Sequence, residues 1–456
     1  MSETNLTPIW PLLAAALAFL IPLAVALVAS AGLPESEARQ TALTPLAAFA
    51  LAVIGYVLVG FGLHYGGAGL VVDHPDLAGL VWEWSPISAD WGADWGMAGW
   101  AGFGMSVQNS LTYLLLISTL PWATTAALLP MLALRGRAPA LVTALFGLLA
   151  AMIGYPLIGN WVQGGGWLAR LGFNIGAGHG YVDFGGASLF LMAGGVALAG
   201  ILVFLERLPK PDRPAELPPV HLPLLAVVGA GLLLVGSTGW LLAWPLTDWE
   251  HLSAVRVVAN ALLAAAGGAA LPLFYTWFVA AGADALQGAR GAAAGWVAGL
   301  AAAPFLSPSA ALLVGAVAGL LMLLAGWLID HRLRLQDRGG VLATFGLPAL
   351  AGLLAVGIFA DGTAGAGYNG VGIEEYLGAA GQGVTGLLAA SGLAADWPGQ
   401  LLAQAAGVAV IFLLSFLVVS LLALPAALVI RAWGGRGVAA ADEGGEAGEE
   451  VAVSGA

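Results

Sequence analysis

The sequence of 456 residues contains no cysteine, few charged residues and little histidine. Without cysteine, disulfides, thiolate metal sites and thiol redox chemistry are excluded. Asp, Glu, Lys and Arg together make up 9% of the chain, well below their usual share in soluble domains. So few charges do not make a water-facing surface, and the net charge of −12 argues against a nucleic-acid partner.

The six histidines do not form a recognisable chemical site. None lies in the middle of an apolar run, and no helix combines histidines with acidic residues as metal hydrolysis or nucleophilic catalysis requires. We therefore expect no metal site, no cofactor and no enzymatic activity. The histidines are His64, His74, His179, His221, His251 and His331.

Apolar residues fill most of the sequence instead. Hydrophobic residues make up 60% of the chain and the mean hydropathy is +0.92, as in a chain whose solvent is the bilayer. The 67 glycines accompany alanine in the apolar runs, where small residues let helices pack closely. We predict an all-α integral membrane protein with a single transmembrane domain over residues 1–436. The acidic, Gly-rich residues 437–456 predict a disordered tail.

Eleven apolar runs, bounded by charged or turn residues, predict eleven transmembrane helices. The first run has a second interpretation, because its end AGLP, residues 31–34, offers small residues for signal-peptide cleavage. The runs are residues 9–31, 43–65, 110–134, 139–159, 183–205, 222–243, 256–280, 291–306, 310–329, 341–360 and 401–430.

The basic residues orient these helices. With the N-terminus outside, 12 of the 14 Lys and Arg residues fall on the cytoplasmic side, as the positive-inside rule requires. Only Arg170 and Arg256 fall elsewhere, whereas an even number of spans would scatter the basic residues over both faces. We predict a multi-pass protein of the cell membrane with a cytoplasmic C-terminus. The twelve residues are Arg39, Arg135, Arg137, Arg207, Lys210, Arg213, Arg290, Arg332, Arg334, Arg338, Arg431 and Arg436.

The predicted outer loops are acidic and rich in tryptophan. Their acidic residues, among them Asp73, Asp248 and Asp396, would concentrate cations near an entrance, although ordinary loop solubility explains them equally well. Residues 81–100 read VWEWSPISADWGADWGMAGW. This segment is typical of an interfacial aromatic belt or of a folded external cap.

The most specific motif lies in residues 155–200. They read YPLIGNWVQGGGWLARLGFNIGAGHGYVDFGGASLFLMAGGVALAG, with GGGWL first and Asp183-Phe-Gly-Gly at the start of the fifth span. Further motifs follow in order along the chain. They are VANALLAAAGGAALPLFYTW at residues 258–277, GARGAAAGWVAGL from Gly288 and GIFADG at residues 357–362.

This collinear set, over roughly residues 110–360, resembles the ammonium transporter/Rhesus family. The resemblance implies a homotrimer of eleven-helix subunits, each with its own pore between two inverted five-helix halves and with a C-terminal eleventh helix. In that family, outer aromatic and hydroxyl groups recruit ammonium, two stacked phenylalanines close the entrance, and two paired histidines line the pore. A cytoplasmic nitrogen-regulatory protein is a further implied partner, although the tail matches the family's docking tail only loosely.

The chain departs from the family pattern at the entrance. Aligned on GGGWL, the recruiting tryptophan falls at Gln163 and the usual histidine at Asn160, with Trp161 between them. Loss of the indole removes a cation–π contact, while the glutamine carbonyl still accepts a hydrogen bond from ammonium. In the third span, alignment on Thr124 places the gating phenylalanine at Leu120.

Both pore histidines are replaced as well. Counting from Asp183, the first falls at Leu191, and counting back from GIFA, the second falls at Phe345. A proton relay through imidazoles is then not available. Phe345 either plugs the pore or makes it drier, and Thr344 adjoins this position.

Few polar residues lie in the predicted spans. Asp183 opens an apolar span, and a structural role as a helix cap is favoured over direct electrostatic help to a cation. Ser188, Asn260, Thr124 and Thr344 are the other pathway candidates from the spans. Bonds to a neighbouring helix backbone explain each of these four without a ligand.

The sequence leaves three functions open. The first is a divergent family member that moves ammonium, ammonia or a similar small molecule through an apolar pore. The second is a non-conducting relative that acts as a sensor or scaffold, since the tryptophan, phenylalanine and histidine positions have all changed. The third is an unrelated secondary transporter with the same topology. The GGG at residues 164–166 adds no nucleotide-binding function, because no Lys-Ser/Thr follows it.

Overall fold

The computed structural model describes residues 9–31, 33, 41–87, 95–204, 221–279 and 282–449, with side chains to residue 429. Within them, ten helices are long and apolar enough to cross a membrane, and another is shorter. The predicted all-α membrane fold is confirmed. The helices are α1 Ile9–Ser30, α2 Thr44–Leu70, α3 Ser110–Ala133, α4 Ala140–Val162, α5 Ala187–Phe204, α6 His221–Leu242, α7 Ala254–Val279, α8 Ala285–Leu300, α9 Pro308–Arg332, α10 Arg338–Phe359 and α11 Gly399–Glu449.

The short helix α8 corresponds to the predicted eighth span, residues 291–306, but ends earlier. The chain turns at residues 301–306, where the apolar composition had predicted helix. Its 16 residues rise about 24 Å, which is less than the ~30 Å thickness of the hydrocarbon core. Because α8 is buried from Gly291 to Leu300 and packs against α7, α9 and α10, it contacts protein instead of lipid.

Glycines set the distances between α7, α8 and α9. A Cβ atom added to Gly315 of α9 would lie 1.9 Å from the carbonyl oxygen of Ala264 on α7. One added to Gly268 of α7 would lie 2.3 Å from the carbonyl oxygen of Gly291 on α8. Both separations are far below van der Waals contact, so only glycine fits. In a bilayer, such close backbone packing supplies attraction that the hydrophobic effect does not.

Helices α5 and α10 cross in the same manner. A Cβ atom on Gly346 would lie 2.4 Å from the Cα of Gly194. Before this crossing α10 contains a π-helical turn, Val341–Gly346, and such turns are frequent at functional sites. The crossing therefore fixes the place of Phe345, which lies in this turn.

Most of the long loops lie on one face of the bundle, which we call the loop-rich face; it carries residues 66–87, 95–109, 163–186, 243–253 and 360–398. Two antiparallel strand pairs form there. They are β1 Glu83–Trp84 with β2 Ala98–Gly99, and β3 Glu375–Tyr376 with β4 Ala379–Ala380. The first pair lies in the Trp-rich segment, which favours the folded cap over a simple aromatic belt; residues 88–94 of that segment lie outside the described residues.

The predicted orientation places two basic residues, Arg170 and Arg256, on this face. Arg256 has specific partners there. Its Nη2 lies 2.6 Å from Asp361 Oδ2 and donates to the carbonyl oxygen of Leu306 at 2.8 Å. The start of α7 is thereby tied to the turn after α8 and to the loop after α10. We call the opposite face, with Arg135 and Arg137, the arginine face.

Two glutamines one turn apart on α11 hold the irregular chain that precedes α5. Gln400 Oε1 accepts a hydrogen bond from the His179 N–H at 2.9 Å. Gln404 Oε1 accepts one from the Val182 N–H, and its Nε2 donates to the Val182 carbonyl, both at 2.8 Å. Non-helical backbone within a membrane bundle requires such partners, so α11 fixes the segment that leads into Asp183.

We expect Gly315→Ala to destabilise the protein by about 2 kcal/mol, because the added methyl group overlaps the Ala264 carbonyl. Gly326→Ala is the matched control in the same helix, since no atom of the described residues lies within 4 Å of the added carbon. At position 326 only the helix propensity changes, and it favours alanine over glycine by about 1 kcal/mol. Thermal unfolding in detergent measures both variants. Equal Tm values would contradict the packing role of Gly315.

His179 makes stability depend on pH. Its ring is buried against Tyr376, with 4.2 Å between ring centroids, and burial lowers the pKa of His179 to about 4 from about 6.5 in an unfolded chain. Between these values the unfolded chain binds more protons, so the free energy of unfolding falls as the pH falls, by at most about 3 kcal/mol. Thermal unfolding against pH measures this loss. His179→Phe keeps a ring against Tyr376 and should flatten the profile, and an unchanged profile would assign the loss to other groups.

Candidate functional site

A cavity of about 390 Å³ opens on the loop-rich face, and we call it the vestibule. The end of α4, the start of the chain after α6 and the turn at residues 365–370 enclose it. Gln163, the position at which the family resemblance predicts the recruiting tryptophan, lies on the vestibule wall. Polar and aromatic residues of the lining include Gln163, Arg170, Phe184, Trp244, Thr247, Asp248, His251 and Asn369.

Gln163 is placed by a tight turn at the end of α4. Its N–H donates to the Gly159 carbonyl at 2.7 Å. A Cβ atom on the following Gly164 would lie 2.2 Å from the His64 carbonyl oxygen, and Gly165 has a φ of +93°. The glycine run is therefore required for close contact with α2 and for the turn itself.

The neighbouring candidates Asn160 and Trp161 do not line the vestibule. Trp161 is 3% exposed, its Nε1 donates to the Met97 carbonyl at 2.8 Å, and its ring borders an apolar groove beside α11. The Nδ2 of Asn160 donates to Glu83 Oε1 at 2.8 Å. The structure thus uses both side chains to anchor the first strand pair, and Trp161 does not substitute for the missing indole.

Trp244, which the sequence analysis did not single out, supplies an indole to the vestibule. Its Nε1 donates to Tyr65 Oη at 3.2 Å, and Tyr65 Oη lies 2.9 Å from Thr119 Oγ1. These bonds fix the ring at the wall. The available signal was a tryptophan followed by Pro245 at the end of the sixth apolar run.

The vestibule also carries a carboxylate. Partial burial works against the ionisation of Asp248, but hydrogen bonds from the His251 ring at 2.7 Å and from the Glu250 N–H at 3.0 Å outweigh it and lower its pKa. The carboxylate is therefore ionised at neutral pH. A negative charge at the mouth of a cavity attracts cations, and Arg170, which also lines the cavity, opposes this attraction in part.

Asp183 caps α5. The residue is 1% exposed, and its Oδ1 and Oδ2 accept hydrogen bonds from the N–H groups of Ala187 and Ser188 at 2.8 and 2.7 Å. The Ser188 hydroxyl lies 2.9 Å from Tyr181 Oη. Protein groups therefore occupy the polar atoms of both candidates, which is the geometry of a structural cap.

On α3, Thr124 bonds to its own helix. Its Oγ1 donates to the Leu120 carbonyl at 2.7 Å, and Thr125 Oγ1 donates to the Pro121 carbonyl at 2.8 Å. Such back-bonding satisfies a hydroxyl within a helix. Leu120 is partly buried and packs at the edge of the main hydrophobic core.

A cluster of buried rings surrounds Phe345. This ring stacks on Phe190, with 6.0 Å between centroids and 20° between planes. Phe190 in turn lies 6.1 Å from Trp240 and 5.7 Å from Trp296, and Trp240 stacks on Trp122 at 4.8 Å. We call these five residues the aromatic column. Where the family resemblance predicts two imidazoles, this chain has apolar side chains.

Leu191, the other replaced position, is completely buried next to Phe190. Thr344 is 1% exposed, and its hydroxyl has no hydrogen-bond partner within the described part of the chain. Asn260 has a structural contact instead, because its Nδ2 donates to the Ala303 and Leu306 carbonyls, both at 2.8 Å. Of these candidates, Leu191 and Thr344 are chain neighbours of Phe190 and Phe345, two residues of the aromatic column.

His64 lies deeper than the sequence indicated. It belongs to α2, which continues beyond the predicted end of the second span, and it is completely buried. Its Nδ1 lies 2.8 Å from Tyr56 Oη, and its ring stacks on Tyr65 with 4.0 Å between centroids. His64 is outside both the vestibule lining and the aromatic column, so it does not replace either lost histidine.

A sequence profile described as the Ammonium Transporter Family matches residues 9–436. Ammonium transporter Amt2 of Archaeoglobus fulgidus is 32% identical over 285 residues, which are 61% of this chain and 60% of that relative. An ammonium transporter of Aquifex aeolicus is 26% identical over 362 residues, which are 78% of this chain and 77% of that relative.

Two solved structures share the fold. One, described as a sensor Amt protein, has a TM-score of 0.70 at 22% identity and covers 94% of this chain and 93% of its own. Mep2 of Candida albicans has a TM-score of 0.68 at 22% identity, and the match covers 91% of this chain and 83% of the Mep2 chain. At this identity the likeness concerns the fold alone. The profile match over nearly the whole sequence goes further and shows that the chain belongs to the ammonium transporter family.

Proposed function

We propose that this chain moves ammonium, taken up from the vestibule, across the membrane as ammonia. The observation that carries the proposal is the vestibule, which combines the indole of Trp244, the hydroxyl of Thr247 and the amide of Gln163 with the carboxylate of Asp248. The substrate class comes from the relatives, which are named ammonium transporters.

These groups suit an ammonium ion. Its four N–H bonds match the oxygen acceptors of Gln163 and Thr247. A cation over an indole gains about 0.5–1 kcal/mol at an exposed site and about 2 kcal/mol when desolvated. Asp248 raises the local concentration of cations by its charge. Recruitment therefore continues without a tryptophan at position 163.

The interior favours a neutral solute. An ion that leaves water for an apolar site loses many kcal/mol of hydration, and neither Leu191 nor Phe345 can accept a proton. We infer that ammonium releases its proton to water on the vestibule side and that ammonia crosses the apolar segment. The candidates on the pathway are then Leu120, Leu191, Thr344 and Phe345 below the vestibule.

The wider arrangement follows the family. We propose that residues 1–436 form one transmembrane domain in a cell membrane, with the loop-rich face outside and the arginine face in the cytoplasm, as the distribution of basic residues indicates. We propose a homotrimer with one pathway in each subunit. A nitrogen-regulatory partner would meet the arginine face.

Proteoliposomes that contain the protein should take up ammonia faster than empty liposomes after an ammonium jump. Entering ammonia binds a proton, so the lumen becomes alkaline, which an internal pH dye measures. Uptake no faster than in empty liposomes would contradict transport, and saturable binding without uptake would favour a sensor. An electric current without alkalinisation would contradict neutral crossing.

Trp244→Ala should raise the ammonium concentration for half-maximal uptake about fivefold, because a cation–π contact of about 1 kcal/mol is lost. Trp244→Phe keeps an aromatic face and should have a smaller effect. Trp277→Ala is the control for loss of an indole, since Trp277 is 61% exposed on α7 and outside the vestibule lining. The measurement is initial uptake against ammonium concentration. An unchanged half-maximal concentration in Trp244→Ala would exclude recruitment by this ring.

A further inference from the structure

The aromatic column begins directly beneath the vestibule. Trp240, near the end of α6, lies four residues before Trp244, which lines the vestibule, and the Trp240 Nε1 donates to the Gly185 carbonyl at 2.8 Å. From Trp240 the rings continue through Phe190 to Phe345 with centroid distances of 6.1 and 6.0 Å. A solute that leaves the vestibule toward the bundle interior therefore meets these rings.

The rings fill the centre of the bundle. Four of them are completely buried and Trp122 is 6% exposed. They come from α3, α5, α6, α8 and α10, so both halves of the chain contribute. The glycines before α5 give them space, because a Cβ atom on Gly186 would lie 2.3 Å from the Trp122 ring.

Two of the tryptophans are held by hydrogen bonds. Trp240 is bonded to the Gly185 carbonyl, and Trp296 Nε1 donates to Ser237 Oγ at 2.8 Å. The phenyl rings of Phe190 and Phe345 have no polar atom and are held by packing and by their mutual stacking. Because they make no hydrogen bonds, these two phenyl rings can rotate without breaking one.

We propose that Phe190 and Phe345 determine which solutes cross the membrane. Their stacked rings close the pathway to water and ions, and the gap that opens when they rotate admits only small neutral amines, with ammonia favoured over methylamine. The inference rests on the proposed function. Its basis is the juxtaposition of two stacked rings, which make no hydrogen bonds, with the vestibule and its Asp248 carboxylate on one side and, on the other, the Thr344 hydroxyl, for which the described residues offer no hydrogen-bond partner.

Truncation of either phenyl ring tests the proposal in proteoliposomes. Phe345→Ala and Phe190→Ala should each raise the ratio of methylamine uptake to ammonia uptake roughly tenfold, which corresponds to a modest fall in the barrier for the larger solute. Phe345→Leu keeps most of the bulk and should change the ratio less. Phe146→Ala is the control, since it also removes a buried ring, 8% exposed, outside the column, and it should leave the ratio unchanged.

The outcomes separate this inference from the proposed function. If the unaltered chain shows no ammonia uptake but Phe345→Ala does, closure of the pathway by the rings stands, while their selective passage of ammonia and transport by the unaltered chain are both overturned. If the unaltered chain transports and neither truncation changes uptake or its ratio, the inference is overturned and transport stands. Uptake equal to that of empty liposomes in every variant overturns both.

The absence of cysteine allows a second measurement that needs no transport. Leu191→Cys places a single thiol next to Phe190, at a completely buried position. A charged, membrane-impermeant methanethiosulfonate reagent should label this thiol roughly tenfold faster when Phe345→Ala is also present, since the barrier to access falls. Size-exclusion chromatography checks that both variants are folded. Equal labelling rates in folded protein would overturn the inference.

Discussion

Close approach of helix backbones at glycine fixes the distances on which the other contacts depend. A Cβ atom on Gly295 of α8 would lie 2.2 Å from the Ala264 carbonyl of α7, so α8 has little freedom relative to α7. Trp296, the next residue, thereby reaches Ser237 on α6. Phe345 is likewise adjacent to Gly346, whose contact with α5 leaves no space for a side chain. The aromatic column therefore depends on positions that carry no side chain at all.

A second constraint is that irregular backbone inside the membrane bundle must find hydrogen-bond partners. Asp183, Gln404 and Asn260 are polar residues at or within apolar runs, and each one bonds to main-chain groups. Their side chains hold the turns beside α5 and α8. Polar groups that remain available to a solute lie mainly in the vestibule, at Gln163 and Trp244. Recruitment and structural support are thus divided between different sets of polar residues.

The helices could be predicted from the sequence because the bilayer requires apolar runs of a set length. Contacts between residues that are distant in the chain could not be predicted in this way. Trp161 and Gln163 are two residues apart, which is about 200° around a helix, so Trp161 faces away from the wall that Gln163 lines. Trp244 comes from another helix, and no local pattern reports its contact with Tyr65. The predicted eighth span, residues 291–306, lies six residues too far along the chain relative to α8, Ala285–Leu300, because the residues after Leu300 are apolar but are buried by protein in a turn. Phe345 was identified through the family motif, whereas the other four rings of the aromatic column were not, because their contacts depend on tertiary packing.

At the two positions where the family resemblance predicts imidazoles, this chain has apolar side chains, which changes what the proposed pathway can do with charge. An imidazole accepts a proton, and a chain of such groups lets a proton and ammonia cross separately. A phenyl ring at position 345 and a leucine at 191 accept none, and Thr344 has one hydroxyl. A solute that crosses this segment without its proton does not respond to the membrane potential, because no net charge moves. The gradient of ammonia alone then drives transport, so acidification outside slows entry by converting ammonia to ammonium. In the proposed function, Asp248 and Trp244 raise the concentration of ammonium at the entrance, but accumulation inside requires that the arriving ammonia be protonated or consumed there.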